Sequence, residues 1–246
     1  MALSSPAHAH LEAIFRAGLL RADPYRRIAQ HLRLEGDRLV IAFEGQHDEV
    51  NLGAFERIYL LGAGKAAASM ARAVEDALGE RLAGGIISTK YGHSGQLRRV
   101  EQLEAGHPIP DENSLLAAKR MQALAQTFDE RTLVINVISG GGSALLDGLL
   151  AYEDGGRHVQ LTLDDLQHTT QALLACGAAI GEVNTIRKHI STVKGGRFLQ
   201  MLHPATSLNL ILSDVVGDRL DAIASGLTTY DATTFADALG VVEKYG

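Results

Sequence analysis

The chain has 246 residues, enough for one large domain or two small ones, and its 46% hydrophobic content suffices for an ordinary core. A formal net charge of −6 with scattered basic residues argues against a nucleic-acid surface, which needs clustered cations, but leaves room for a small anionic ligand in a pocket. A single cysteine rules out a disulfide framework and fits a reducing cytoplasm; no stretch approaches the ~18 apolar residues of a membrane span, and the N-terminus does not read as an export signal.

In chain order, a helical segment over about Pro6 to Leu32, with Ser5-Pro6 at its start, leads to an extended pair around Leu34 and Leu39 to Phe43. A buried strand at Ile58 to Leu61 and a helix from Lys65 to Leu78 follow, with Ala66, Met70, Ala73 and Ala77 on one helix face. A strand at Ile86 to Thr89 comes next, then a loop, a helix over about Asn113 to Gln126 capped by Asp111-x-x-Ser114, and a strand at Leu133 to Ile138. A polar loop from Asp147 to Gln160 precedes helices at Asp164 to Ala175, Ala179 to His189 and Lys194 to Leu202, a strand at Leu208 to Leu212, and a last helix from about Thr233 to Tyr245. Cys176, inside the apolar run ALLACGAAI, reads as a buried packing thiol. The alternation predicts an α/β fold, a mostly parallel sheet with helices on both faces, and no internal boundary is required over residues 1–246.

Four segments carry candidate chemistry. In LGAGKAAASM, Gly62 and Gly64 allow a sharp turn whose amides can face an anion, with Lys65 beside it. A phosphate loop of the G-x-x-x-x-G-K type does not fit, and a dinucleotide turn, literally matched through Ala67, lacks its ribose-binding acid because the next strand ends at Lys90. A packing turn is the bland alternative. In SGGGSALL, the amides of Gly140, Gly141 and Gly142 form a nest for phosphate oxygens, with the hydroxyls of Ser139 and Ser143 as further donors; a serine-hydrolase elbow fails because Leu145 stands where glycine is needed. Arg187, Lys188, Lys194 and Arg197 make a basic run that either neutralises a carboxylate or phosphate, or is a solvated face; Arg187 and Lys194 share a helix face if that helix runs unbroken. His189 reads as a packed or capping residue. Asp214, Asp218 and Asp221 crowd the loop after the last strand, where carboxylates can hold Mg²⁺ or serve as turn residues and caps.

Together LGAGKAA, EAGHPIPDENS, ISGGGSALL, EVNTIRKHIS with VKGGR, and LSDVVGD with IASG resemble, in order and spacing, the glycerate 2-kinases, a two-domain family whose second domain is named after a MOFRL motif. The resemblance runs from about Leu11 to the end and implies ATP- and Mg²⁺-dependent phosphorylation of D-glycerate. It implies that Lys65 is the essential lysine, that Gly140 to Ser143 cradle phosphate, that Arg187, Lys188 and Lys194 hold the glycerate carboxylate, and that Asp214 and Asp218 hold Mg²⁺. It also implies that the chain is the Rossmann-like N-terminal domain of a two-domain kinase, with the C-terminal domain as partner, an incomplete substrate site, and an exposed apolar patch through which a homo-oligomer could form. Leu227 and Tyr230 replace two prolines of the family pattern, which predicts a less rigid loop after IASG. An NAD(P)H-dependent hydroxypyruvate reductase and a non-catalytic ligand-binding remnant stay open as alternatives.

Overall fold

The computed structural model describes residues 6–43 and 45–246. Helices α1 (Pro6–Ala22) and α2 (Pro24–His31) precede an antiparallel sheet of β1 (Leu32–Glu35), β2 (Arg38–Phe43) and β3 (Gln46–Asn51). Next come β4 (Arg57–Ala63), α3 (Ala67–Leu78), β5 (Leu82–Lys90), β6 (Val100–Ala105), α4 (Glu112–Ala125) and β7 (Thr132–Ser139). Then follow a short α5 (Gly142–Leu145), the hairpin β8 (Ala151–Asp154) and β9 (Arg157–Gln160), helices α6 (Leu163–Ala175), α7 (Ile180–Ile190) and α8 (Arg197–Met201), strand β10 (Thr206–Leu212), and α9 (Phe235–Tyr245).

Five strands pair in parallel in the order β10-β7-β4-β5-β6. Every residue of β7 is buried, which is why TLVINVIS is apolar nearly throughout instead of alternating. Alternate side chains serve opposite faces. Ile58, Leu60, Leu133, Ile135 and Val137 join Met70, Ala71 and Val74 of α3 in one core, while Leu61, Ala63, Val134 and Ile138 join Ala117, Ala118 and Met121 of α4 in another. Helices thus cover both faces, as the sequence pattern predicts. A third cluster, of Leu173, Val183, Ile186, Ala238 and Val241, binds α6, α7 and α9 to one another.

Polar groups fix the edges. The buried carboxylate of Glu75 on α3 accepts the amides of Arg98, Arg99 and Val100 at 2.9, 2.9 and 3.0 Å and so anchors the entry to edge strand β6. The predicted cap of α4 forms reciprocally, Ser114 N to Asp111 Oδ1 at 3.0 Å and Asp111 N to Ser114 Oγ at 3.1 Å.

Several expectations need correction. β6 and the β8–β9 hairpin lie in stretches read as loops, and β3 in a stretch to which the sequence pattern assigns no element. The helix expected from Lys194 shrinks to Arg197–Met201, because Gly195 and Gly196 take left-handed conformations ahead of it. Cys176 is exposed, since α6 turns Leu166, Thr170 and Leu173 inward instead. Ser5 lies outside the described residues. α1 buries none of its residues and exposes Leu11, Ile14, Phe15 and Leu19. Among the described residues, no helix is long and apolar enough to cross a membrane.

Candidate active site at the carboxyl edge of the parallel sheet

The chain leaves β4 to build β5 and β6 on one side and returns to build β7 and β10 on the other, so β4 and β7 flank the topological switch point. In open α/β sheets, ligands bind outside the strand ends at this place. Here the turns after β4 and β7 interlock. Lys65 N donates to Gly140 O at 3.0 Å and Ala66 N to Ser139 Oγ at 3.1 Å. Gly64, with φ of 143°, lies so close to Ser139 that a side chain there would collide with its hydroxyl and backbone. Gly62 is buried within β4 against the carbonyl of Val137.

The interlock reassigns the first predicted anion turn. The amides of Gly64, Lys65, Ala66 and Ala67 donate to Ser88 O, Gly140 O, Ser139 Oγ and Gly64 O, so none is left for a ligand. Gly62 and Gly64 serve close packing. The second turn differs: the amides of Gly140, Gly141, Gly142 and Ser143 have no acceptor among the described residues. Four consecutive open amides make a nest for anionic oxygens. The Ser139 hydroxyl accepts from Ala66, and the Ser143 hydroxyl pairs with Ser225 Oγ at 2.6 Å, which in turn donates to Asn184 Oδ1 at 3.0 Å. Both serines therefore hold the nest in place. Ala224 and Ser225 take left-handed conformations with φ of 50° and 56°, and a methyl group on Gly142 would come within 2.9 Å of Ala224 Cβ. The IASG turn is tied by Gly195 N to Ser225 O at 3.1 Å and Gly196 N to Gly226 O at 2.7 Å.

Around the nest stand charges without partners. Lys65, Lys90 and Arg187 form no ion pair or hydrogen bond through their charged groups among the described residues, and Lys65 is exposed. A methyl group on Gly141 would come within 3.2 Å of Lys65 Cγ and within 2.9 Å and 3.0 Å of His107 Cδ2 and Nε2, so both side chains cover the nest. A Cβ at Gly140 would collide with the carboxylate of Asp214, which also has no hydrogen-bond or ion-pair partner among the described residues. Lys65, Ala66, Ser139, Gly140, Ser213 and Asp214 line a cavity of about 160 Å³, and Asp214 also borders a groove of about 620 Å³ beside α7. A wider hollow of about 640 Å³ near Gln122 and His203 contains none of these strand-end groups. Burial first, then Lys65, Lys90 and Arg187, push His107 below the ordinary histidine value, with Asp214 opposing. Burial likewise lowers Arg187, against the pull of Asp147, but a guanidinium stays charged.

Lys188 and Lys194 behave otherwise. Lys188 Nζ pairs with Asp231 Oδ1 at 3.1 Å, and Lys194, wholly buried, pairs with Asp147, whose Oδ1 also accepts from Ser191 Oγ at 2.6 Å and Gly148 N at 2.9 Å. Both predicted substrate cations are neutralised inside the protein. Arg187 and Lys194 do not share a helix, because α7 stops at Ile190. His189 is packed as expected, bonded to Thr185 O at 2.8 Å with its ring edge-on to Phe235. Asp218 is exposed on a turn closed by its own amide to Val215 O at 3.0 Å, and Asp221 is engaged by Arg219 at 2.7 Å. Among the described residues, no three His, Cys, Asp or Glu side chains converge as metal ligands.

His107 is the site residue that sequence reasoning left without a role. It follows β6, a strand whose polar edge sequence hides it; the histidine's place in EAGHPIPDENS was the available signal.

Residues 10–246 match the family model described as "Domain of unknown function (DUF4147)". The chain belongs to that family. A glycerate 2-kinase of Pyrococcus horikoshii is 44% identical over 91% of this chain and 47% of its own length, and an Agrobacterium vitis relative bearing a hydroxypyruvate reductase name is 45% identical over 77% and 42%. Among solved structures, one from Pyrococcus horikoshii matches with a TM-score of 0.81 at 42% identity over all of this chain and 52% of that one. The glycerate kinase of Thermotoga maritima matches with a TM-score of 0.70 at 46% identity over 78% and 45%. This DUF4147 chain therefore spans about half the length of the curated relatives it matches.

Proposed function

We propose that the carboxyl edge of the sheet binds ATP phosphates and D-glycerate and transfers the γ-phosphoryl group to a glycerate hydroxyl, usually the 2-hydroxyl. The observation that carries this reading is the run of four open amides from Gly140 to Ser143 with the unpaired ammonium-bearing side chain of Lys65 packed over Gly141. Phosphoryl transfer asks little covalent chemistry of the protein and much electrostatic positioning, which is what this edge offers.

Each residue has a part. The nest amides hold phosphate oxygens, Lys65 neutralises charge on the moving phosphoryl group, and Arg187, partly desolvated and unpaired, can hold a carboxylate with its planar fork. Lys188 and Lys194 serve the scaffold. Mg²⁺ usually takes one or two carboxylates and completes its shell with water and substrate phosphate, and the Asp214 carboxylate, seated over Gly140 and unpaired among the described residues, fits that donor set. Asp218 is the second carboxylate in reach of the same loop. Bound Mg²⁺ would supply charge neutralisation between the phosphates.

The chain would contribute this half of the site as the N-terminal domain of a longer kinase, its partner being a C-terminal domain of the MOFRL type that completes the glycerate grip. The reductase reading has weaker support, because Lys90 stands at the tip of β5 where a ribose-binding acid would be required. MgATP should raise the melting temperature of the chain by about 3–6 °C at tenfold the dissociation constant, and NADH should leave it unchanged. A shift with NADH and none with MgATP would reverse the choice. The full-length gene product should release ADP with D-glycerate as acceptor.

A further inference from the structure

We propose that His107 accepts the proton of the glycerate hydroxyl during transfer, an assignment that rests on the phosphoryl-transfer reading above. The Cδ2–Nε2 edge of its ring borders Gly141, so a hydroxyl presented to a γ-phosphate held by the nest would meet this side chain. The imidazole makes no hydrogen bond among the described residues and is only partly buried, which leaves its nitrogens open to a substrate.

Charge decides between a base and an anion anchor. Three cations lower the ring's proton affinity, Lys65 from the turn before α3, Lys90 from the end of β5, and Arg187 from α7, while Asp214, after β10, raises it; Lys65, like His107, also packs against Gly141. A fourth cation here would be repelled by the three, whereas a neutral imidazole keeps a lone pair for a proton near pH 7. With Asp214 held in reserve for the metal, His107 is the uncharged acceptor at the edge. In the step, the hydroxyl O–H bond breaks and its proton moves to an imidazole nitrogen. The freed oxygen pair forms the bond to the γ-phosphorus as the bond from that phosphorus to the β,γ-bridging oxygen breaks. ADP leaves with that electron pair, and the imidazolium then releases its proton to water.

The test uses the full-length gene product with ATP, Mg²⁺ and D-glycerate. His107→Gln should lower kcat by ~10²-fold or more while KM for D-glycerate stays within about threefold, as expected for loss of a proton acceptor. The variant should keep the wild-type melting temperature and its rise with MgATP. As a measurement independent of that variant, Lys90→Gln removes one facing cation, so the acid limb of the kcat/KM profile should move to higher pH. A His107→Gln enzyme with wild-type kcat, one altered only in KM, or an acid limb unmoved by Lys90→Gln would each overturn the assignment. A wild-type protein that binds MgATP yet forms no ADP with D-glycerate would instead overturn the glycerate kinase reading beneath it.

Discussion

The chain carries two sets of cations, and they are handled in opposite ways. Lys188 and Lys194 are buried and each is matched by a carboxylate, Asp231 and Asp147. Lys65 and Lys90 at the strand ends and Arg187 on α7 have no ion-pair partner among the described residues, and neither does the nearby Asp214. A buried charge without a partner is strongly destabilising, so the first set had to be paired to fold at all. Charges at a partly hydrated edge can wait for a ligand. Pairing, more than sequence position, separates scaffold from site.

The contrast breaks most visibly at Asp147. Asp147→Ala strands Lys194 in the interior and should destabilise the chain by about 3–5 kcal/mol, measured by urea unfolding. A loss under about 1 kcal/mol would mean that Lys194 is free to serve a ligand. Lys65→Ala should do the reverse. In the full-length gene product it should cut kcat by ~10²-fold or more, yet leave urea unfolding of the chain within about 0.5 kcal/mol of wild type, because its ammonium holds nothing in the fold.

Gly140→Ala sharpens the comparison further. The added methyl group meets the exposed Asp214 side chain, which can swing aside, so the fold should tolerate the change while MgATP binding weakens by roughly tenfold, read by calorimetry. Unchanged binding would detach Asp214 from the metal role.

The fold was legible where burial is two-sided. β4 and β7 stand out as short apolar runs because they lie inside the parallel sheet, and the turns after them were found with them; β10, although at the sheet edge, was legible from its own apolar run LNLIL. β3, reading QHDEVN, and β6, reading VEQLEA, lie at sheet edges and carry no such run, so His107 lost its structural context with its strand. Lys188 and Lys194 were grouped with Arg187 because they are neighbours in sequence. Their partners, Asp231 and Asp147, are more than 40 positions away, and no local pattern announces them.

The smallest effect concerns pH. Glu182, held by Lys244 Nζ at 2.6 Å, Tyr245 OH at 2.8 Å and the amide of Ala179 at 2.9 Å, is lowered to about 2, chiefly by the Lys244 bond. Its folded value lies below the ordinary 4.5, so its contribution is complete above about pH 4.5 and fades as pH falls toward 2. Amide exchange in α9 should therefore accelerate across that window relative to β7, more than intrinsic rates require. Parallel behaviour of the two elements would show that this fastening contributes nothing.

One consequence of the strand order concerns folding. Lys65 follows β4 and Asp214 follows β10, yet these strands never touch, since β7 lies between them. The parallel pairings that bring the two residues together join segments roughly 75 positions apart, and such distant closures are slow. The proposed binding edge therefore exists only once all three strands are in register. A ligand spanning Lys65, the nest and Asp214 would act as a clasp across them, so if nucleotide binds as proposed it should slow exchange throughout the central sheet, well beyond the residues it touches.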